Sequence, residues 1–140
     1  MIDLSTLNYL AIIVSALVSF GIGALWYSPV LFSKTWQKEV GLSDEDLASE
    51  NMVKTFGGSL ICMLIMTFAL AISIKEYSIY NPITWQIGAL KGLFYGGTFA
   101  LTSMGINYLY QHKKLKLFLI DGGYQVLFLV ISGIILALWK

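Results

Sequence analysis

The run LKLFLIDGGYQVLFLVISGIILALWK near the C-terminus places a single carboxylate, Asp121, inside an otherwise apolar stretch. A charge in hydrocarbon costs several kcal/mol unless it is paired, hydrated or neutralised, so Asp121 is the first candidate for chemistry. It would hold a cation, exchange a proton, or lock neighbouring helices through hydrogen bonds. Lys91 is the matching oddity in the preceding apolar block. At 100° per residue Lys91, Tyr95, Thr98 and Thr102 fall in one narrow sector, and so do Asp121, Gln125 and Ser132, flanked by Tyr124. At 1.5 Å per residue, Asp121 sits ~8 Å from one end of a ~30 Å core and Lys91 ~10 Å from the other, too far apart for a salt bridge. Lys91 is therefore expected at the depth of Ser132, snorkelling outward. Asp121 and Gln125 are expected to meet Thr102, with Lys54 and Asn107 near the same end, as one polar seam.

Other reactive residue types point away from catalysis. The lone cysteine, Cys62, lies in an apolar block and reads as a small buried thiol; with no second cysteine there is no disulfide and no cysteine-cluster metal site. The lone histidine, His112, stands beside Lys113 and Lys114 and reads as a loop residue. No His/Cys/Ser constellation, paired carboxylate or phosphate-binding glycine loop is present, so the sequence predicts no enzyme, no cofactor and no metal. All nine basic residues are lysine and the net charge is +1, which gives no reason to expect a nucleic-acid partner.

The elements that must position these residues are set by hydropathy. The chain has 140 residues, 57% hydrophobic and 12% charged, with a mean hydropathy of +0.75. That balance belongs to a membrane protein. Four apolar blocks, at about 7–27, 53–74, 84–109 and 116–139, are each long enough to cross a bilayer as a helix. The predicted fold is all-α: one integral membrane domain over residues 1–140, a four-transmembrane-helix bundle with a short interfacial helix after the first span. Trp26 and Tyr27 suit an interface, Pro29 ends the span, and VLFSKTWQKEV places Trp36 on the apolar side of the interfacial helix. Gly41 stops that helix. Ser43 followed by Asp44, Glu45 and Asp46 reads as an N-cap with acidic residues at the positive end of the next one.

Lysine placement sets orientation. Lys34, Lys38, Lys54, Lys113, Lys114 and Lys116 lie on the side of the first and third connections, against Lys75 and Lys140 on the other. The positive-inside rule puts the first side in the cytoplasm and both termini outside it.

Small residues form faces for helix packing. Ala11, Ser15, Ser19 and Gly23 recur every four residues in the first span, and Gly88, Gly92, Gly96 and Ala100 do so in the third; Gly122 and Gly133 serve the fourth. Spans one and three run in the same direction, so their small faces are expected to pair, within one chain or across a dimer. A double glycine begins both TFGGSLICMLIMTFALA and IDGGYQVLFLVISGIIL, a weak sign of a duplicated two-helix unit.

Three stretches, NYLAIIVSALVSFGIGALWYSPVLFSKTW, NYLYQHKKLKLFLIDGGYQ and SGIILALW, together resemble a bacterial membrane family catalogued as domain of unknown function 1761. The groups Trp26, Tyr27, Pro29 and Asp121, Gly123, Tyr124 carry the resemblance most specifically. It implies a four-helix protein of the bacterial inner membrane and supplies no activity. The expected role is a structural or accessory membrane component that assembles, with itself or with a membrane-protein partner, through its small-residue faces. The alternative is binding or permeation of a small solute, proton or ion at the Asp121 seam, as a homo-oligomer.

Overall fold

The computed structural model describes residues 3–139. The chain is all-helical, 83% helix, with no strand among the described residues. A short 3-10 turn, Leu4–Thr6, leads into α1 (Tyr9–Trp26). Then come α2 (Ser33–Val40), α3 (Asp44–Ser49) and α4 (Met52–Tyr80). A second helical run is made of α5 (Trp85–Tyr95), a π-helical turn over Gly96–Ala100, and α6 (Leu101–Tyr110), and α7 (Leu115–Leu138) closes the chain. Three helices, α1, α4 and α7, are each long and apolar enough to cross a membrane. The 84–109 block differs from its expected form because the π-turn divides it into α5 and α6, each too short alone to span.

Local chemistry explains the boundaries. Asn8 and Asn51 cap α1 and α4 by accepting from the backbone N–H groups of Ala11 and Lys54. Gly41 stops α2 in the left-handed region at φ 83°. Ser43 and Asp46 form a reciprocal capping box at α3. His112 takes φ 53° in the tight turn between α6 and α7, a conformation that histidine enters more readily than most residues. The second apolar block runs further than hydropathy suggests: α4 continues through Lys75, Glu76 and Tyr77 to Tyr80. Its 29 residues span ~43 Å, longer than a ~30 Å hydrocarbon core.

The helix α7 is the hub. It packs against α1, α4, α5 and α6, and its contact with α5 is the most extensive in the molecule. Phe128, fully buried, anchors a core with Leu129, Leu136, Ala11, Ile12, Leu70 and Ile74. Within the chain the small faces of spans one and three do not pair with each other. A β-carbon on Gly88 would overlap the carbonyl oxygen of Gly133, and one on Gly92 that of Leu129. One on Gly96 would lie 3.0 Å from Val126 Cα. The α5 glycines thus admit the backbone of α7, around Gly133, at contact distance. The α1 face meets α7 too: Ser19 Oγ lies 3.1 Å from Ser132 Oγ, and Gly23 leaves the space that the Tyr124 ring occupies. Ser19 and Gly23 of the first face and the glycines of the second are therefore spent on one helix inside one chain.

Candidate functional site

Asp121 lies two turns into α7 and is buried, only 7% exposed. Its neighbours Ile120 and Gly122 are buried with it, because this face of α7 looks at the ends of α1 and α6 rather than outward. Tyr27, the C-cap of α1, donates to Asp121 Oδ1 at 2.8 Å. Tyr108, in the last turn of α6, donates to Oδ2 at 2.6 Å. Each carboxylate oxygen thus holds one tyrosine hydroxyl, and the two donors come from opposite neighbours of α7. Such charge-assisted bonds are short and about twice as strong as neutral ones.

Aromatic packing surrounds the pair. The Trp26 indole donates to the Ile120 carbonyl at 3.1 Å and packs against Phe32 in a tilted pair with ring centres 4.7 Å apart. Its ring passes 3.4 Å from where a Gly123 β-carbon would stand, at van der Waals distance. Tyr27 meets Trp36 of α2 edge-on at 5.8 Å and Tyr124 at 5.5 Å. Tyr124 in turn donates to the Ser19 carbonyl at 3.0 Å. The residues expected as interfacial anchors, Trp26, Tyr27 and Trp36, are half-buried and build this wall; Pro29 alone of that set is exposed. At the same end Glu39 of α2 approaches Lys114 to 3.2 Å, an ion pair tying α2 to the α6–α7 turn. The Glu39 oxygen is off the line of a hydrogen bond.

The polar seam expected around Asp121 has other members. Thr102 and Asn107 are exposed and bond to the backbone of their own helix, at Thr98 and Ser103. Gln125 is half-buried and makes no bond to Asp121, and Lys54 is exposed at the start of α4. The physical reason is the π-turn. One extra residue per turn rotates everything C-terminal to it by roughly 100°, so a stripe extrapolated from Lys91 and Tyr95 to Thr98 and Thr102 loses its phase. Tyr108 comes to face Asp121 instead. Ser132 pairs with Ser19, and Lys91 reaches across to Ser73 of α4 rather than snorkelling. Cys62 is exposed, not buried. Gly57 and Gly58 have nothing within contact distance while Gly122 and Gly123 are packed, so the two double glycines play unlike parts.

Neither Tyr27 nor Tyr108 was legible as a ligand of Asp121, the first because it resembles an interface anchor and the second because its phase depends on the π-turn. The usable signal was length: the short α6–α7 turn brings the ends of those two helices side by side. Among the described residues no group of three or more His, Cys, Asp or Glu side chains is placed to hold a metal ion.

An all-helical chain with three bilayer-length apolar helices, and a buried carboxylate clasped by two tyrosines, defines a protein compatible with membrane insertion. The chain belongs to the family described as protein of unknown function DUF1761, which it matches over residues 10–137. No curated protein matches it, and no solved structure does. The matched region contains both of the groups that carried the resemblance, Trp26-Tyr27-Pro29 and Asp121-Gly123-Tyr124. They meet in space through the Tyr27–Asp121 bond and the Trp26–Gly123 contact.

Proposed function

We propose that this chain is a structural or accessory component of the bacterial inner membrane, crossing it four times with both termini outside the cytoplasm. Beside α1, α4 and α7, the third crossing in chain order is the α5–π–α6 run, whose 26 residues from Trp85 to Tyr110 are continuous helix. The observation that carries the reading is the double tyrosine clasp on Asp121. Both of its oxygens are taken by tyrosine hydroxyls and its surroundings are aromatic, an arrangement suited to holding three helices in register rather than to passing a solute. The small-residue faces are consumed within the chain, so assembly with itself or with a membrane-protein partner goes through the lipid-facing surface.

Asp121→Asn tests this reading. Asparagine keeps an acceptor for one tyrosine and offers an N–H to the other, whose hydroxyl can accept. Retained folding and retained cellular phenotype support a tie, whereas a folded but inactive Asn variant makes Asp121 a titrating or cation-holding group and replaces the proposal. One observation favours that second reading, of solute, proton or ion binding: Ser15 Oγ and Thr67 Oγ1 are fully buried without a hydrogen-bond partner. Orphaned polar atoms inside a bundle are where water or an ion would enter.

A further inference from the structure

Lys91 lies six residues past Trp85 on α5, ~9 Å along the helix. Its ammonium is pinned: Nζ donates to Ser73 Oγ at 2.9 Å and stands 5.2 Å from the centre of the Tyr77 ring. Tyr95 donates to the same Ser73 oxygen at 3.0 Å, which fixes that acceptor. An ammonium has three N–H groups, and Ser73 engages one. Among the described residues the ion pair between Lys114 and Glu39 is the sole salt bridge, and Lys91 faces no carboxylate. A cation inside an apolar segment without a counter-charge is a functional-site candidate by default.

Lys91 is also part of the wall of a groove of about 560 Å³, with Tyr77, Ile87, Leu90, Leu93 and Phe94 as its other main walls. Leu90, Leu93 and Phe94 are each half or more exposed, so the groove opens sideways. We propose that the groove binds an anionic phospholipid, its phosphate on Lys91 Nζ and one acyl chain along Ile87, Leu90 and Phe94. The fixed positive charge selects an anion, and the apolar walls select a chain attached to it. The helical run Trp85–Tyr110 is ~39 Å long, so centred on a ~30 Å core it places Lys91 ~4–5 Å inside the hydrocarbon boundary, close enough for the phosphate of a phospholipid seated in the groove to meet it. A free phosphate would satisfy the ammonium and leave the walls uncovered. Lys91 gains what the fold denies it, a counter-charge in a medium where charge pairing is strong.

The test uses the purified full chain in detergent, titrated with phosphatidylglycerol or phosphatidylcholine, with the melting temperature as readout. In the wild type, phosphatidylglycerol raises the melting temperature more than phosphatidylcholine does. Lys91→Met removes the charge, keeps the stem, and weakens the apparent phosphatidylglycerol affinity about tenfold, the loss of one charge-assisted contact. Leu90→Trp fills the groove without touching the charge and reads the same loss should the Met variant fold poorly. Lys75→Met, on the other side of α4, leaves the preference intact. Equal stabilisation by the two lipids in the wild type, or a preference that survives both Lys91→Met and Leu90→Trp, overturns the site. A comparable shift from glycerol 3-phosphate alone overturns the lipid assignment. Incorporation into phosphatidylcholine discs tests membrane insertion separately, whatever the headgroup comparison shows.

Discussion

Tyr27 and Asp121 are 94 residues apart and joined by a 2.8 Å hydrogen bond that links the end of α1 to the second turn of α7. Tyr108 closes the other side at 2.6 Å, so one carboxylate registers α1, α6 and α7 against each other. The bond lies where the Trp-Tyr-x-Pro turn meets the Asp-x-Gly-Tyr turn of α7, and it gives both sequence groups a common physical task.

The α5–α7 contact depends on missing side chains. Gly92→Leu is expected to lower the detergent melting temperature far more than Leu93→Ala, because a branched side chain at Gly92 must displace the α7 backbone at Leu129 while Leu93 is half exposed. Gly57→Leu, at a position with open space, is expected to be tolerated. Equal sensitivity of Gly57 and Gly92 in one melting series would remove α7 from beneath α5.

How much of this was legible in the sequence follows from what each feature depends on. The cap at Ser43 and the stop at Gly41 are local, so their residue types announced them. The close faces of α1 and α5 were visible as four-residue spacing, but spacing cannot name the partner, and both turned to α7 instead of to each other. The ligands of Asp121 were hidden for a stronger reason. A π-turn at Gly96–Ala100 changes helical phase, and no regular period carries across it.

Ser15 and Thr67 are expected to be stability liabilities. Thr67→Val and Ser15→Ala remove hydroxyls that are buried without partners, at little change in shape, and should leave stability unchanged or raise it by about 1 kcal/mol. A gain in melting temperature with unchanged phenotype fits a structural protein. A gain in melting temperature with a lost phenotype would assign those hydroxyls to a solute path.

The capping box at α3 carries a pH dependence. The Ser43 hydroxyl, followed by the Ser43 backbone N–H, holds the Asp46 carboxyl below its usual range. A depressed folded-state value means stability that is present above the ordinary carboxylate range and lost as pH falls through the folded value. Protection of the Asp46 and Leu47 amides, taken as exchange relative to the intrinsic rate at each pH, is therefore expected to fall below about pH 4, and Ser43→Ala to abolish that dependence. Protection that does not change with pH in the wild type would show the box to be open in solution.

Orientation is a separate expectation, resting on the lysines; of these Lys140 lies outside the described residues. With Cys62 replaced by Ser, a cysteine at Ser5 should be labelled in intact cells by a membrane-impermeant thiol reagent, and a cysteine at Lys113 should be protected. The opposite pattern would invert the topology without altering the helix packing.

The most direct test of the tie is a double-mutant cycle between Tyr27 and Asp121, read as unfolding free energy in mixed micelles. Tyr27→Phe alone is expected to cost about 1.5–3 kcal/mol, because it strips one donor from a buried carboxylate. In an Asp121→Leu background the same change should cost close to nothing, leaving a coupling of at least about 1 kcal/mol. If Tyr27→Phe costs the same in both backgrounds, the carboxylate does not hold α1 to α7, and the account of Asp121 as a structural tie is wrong.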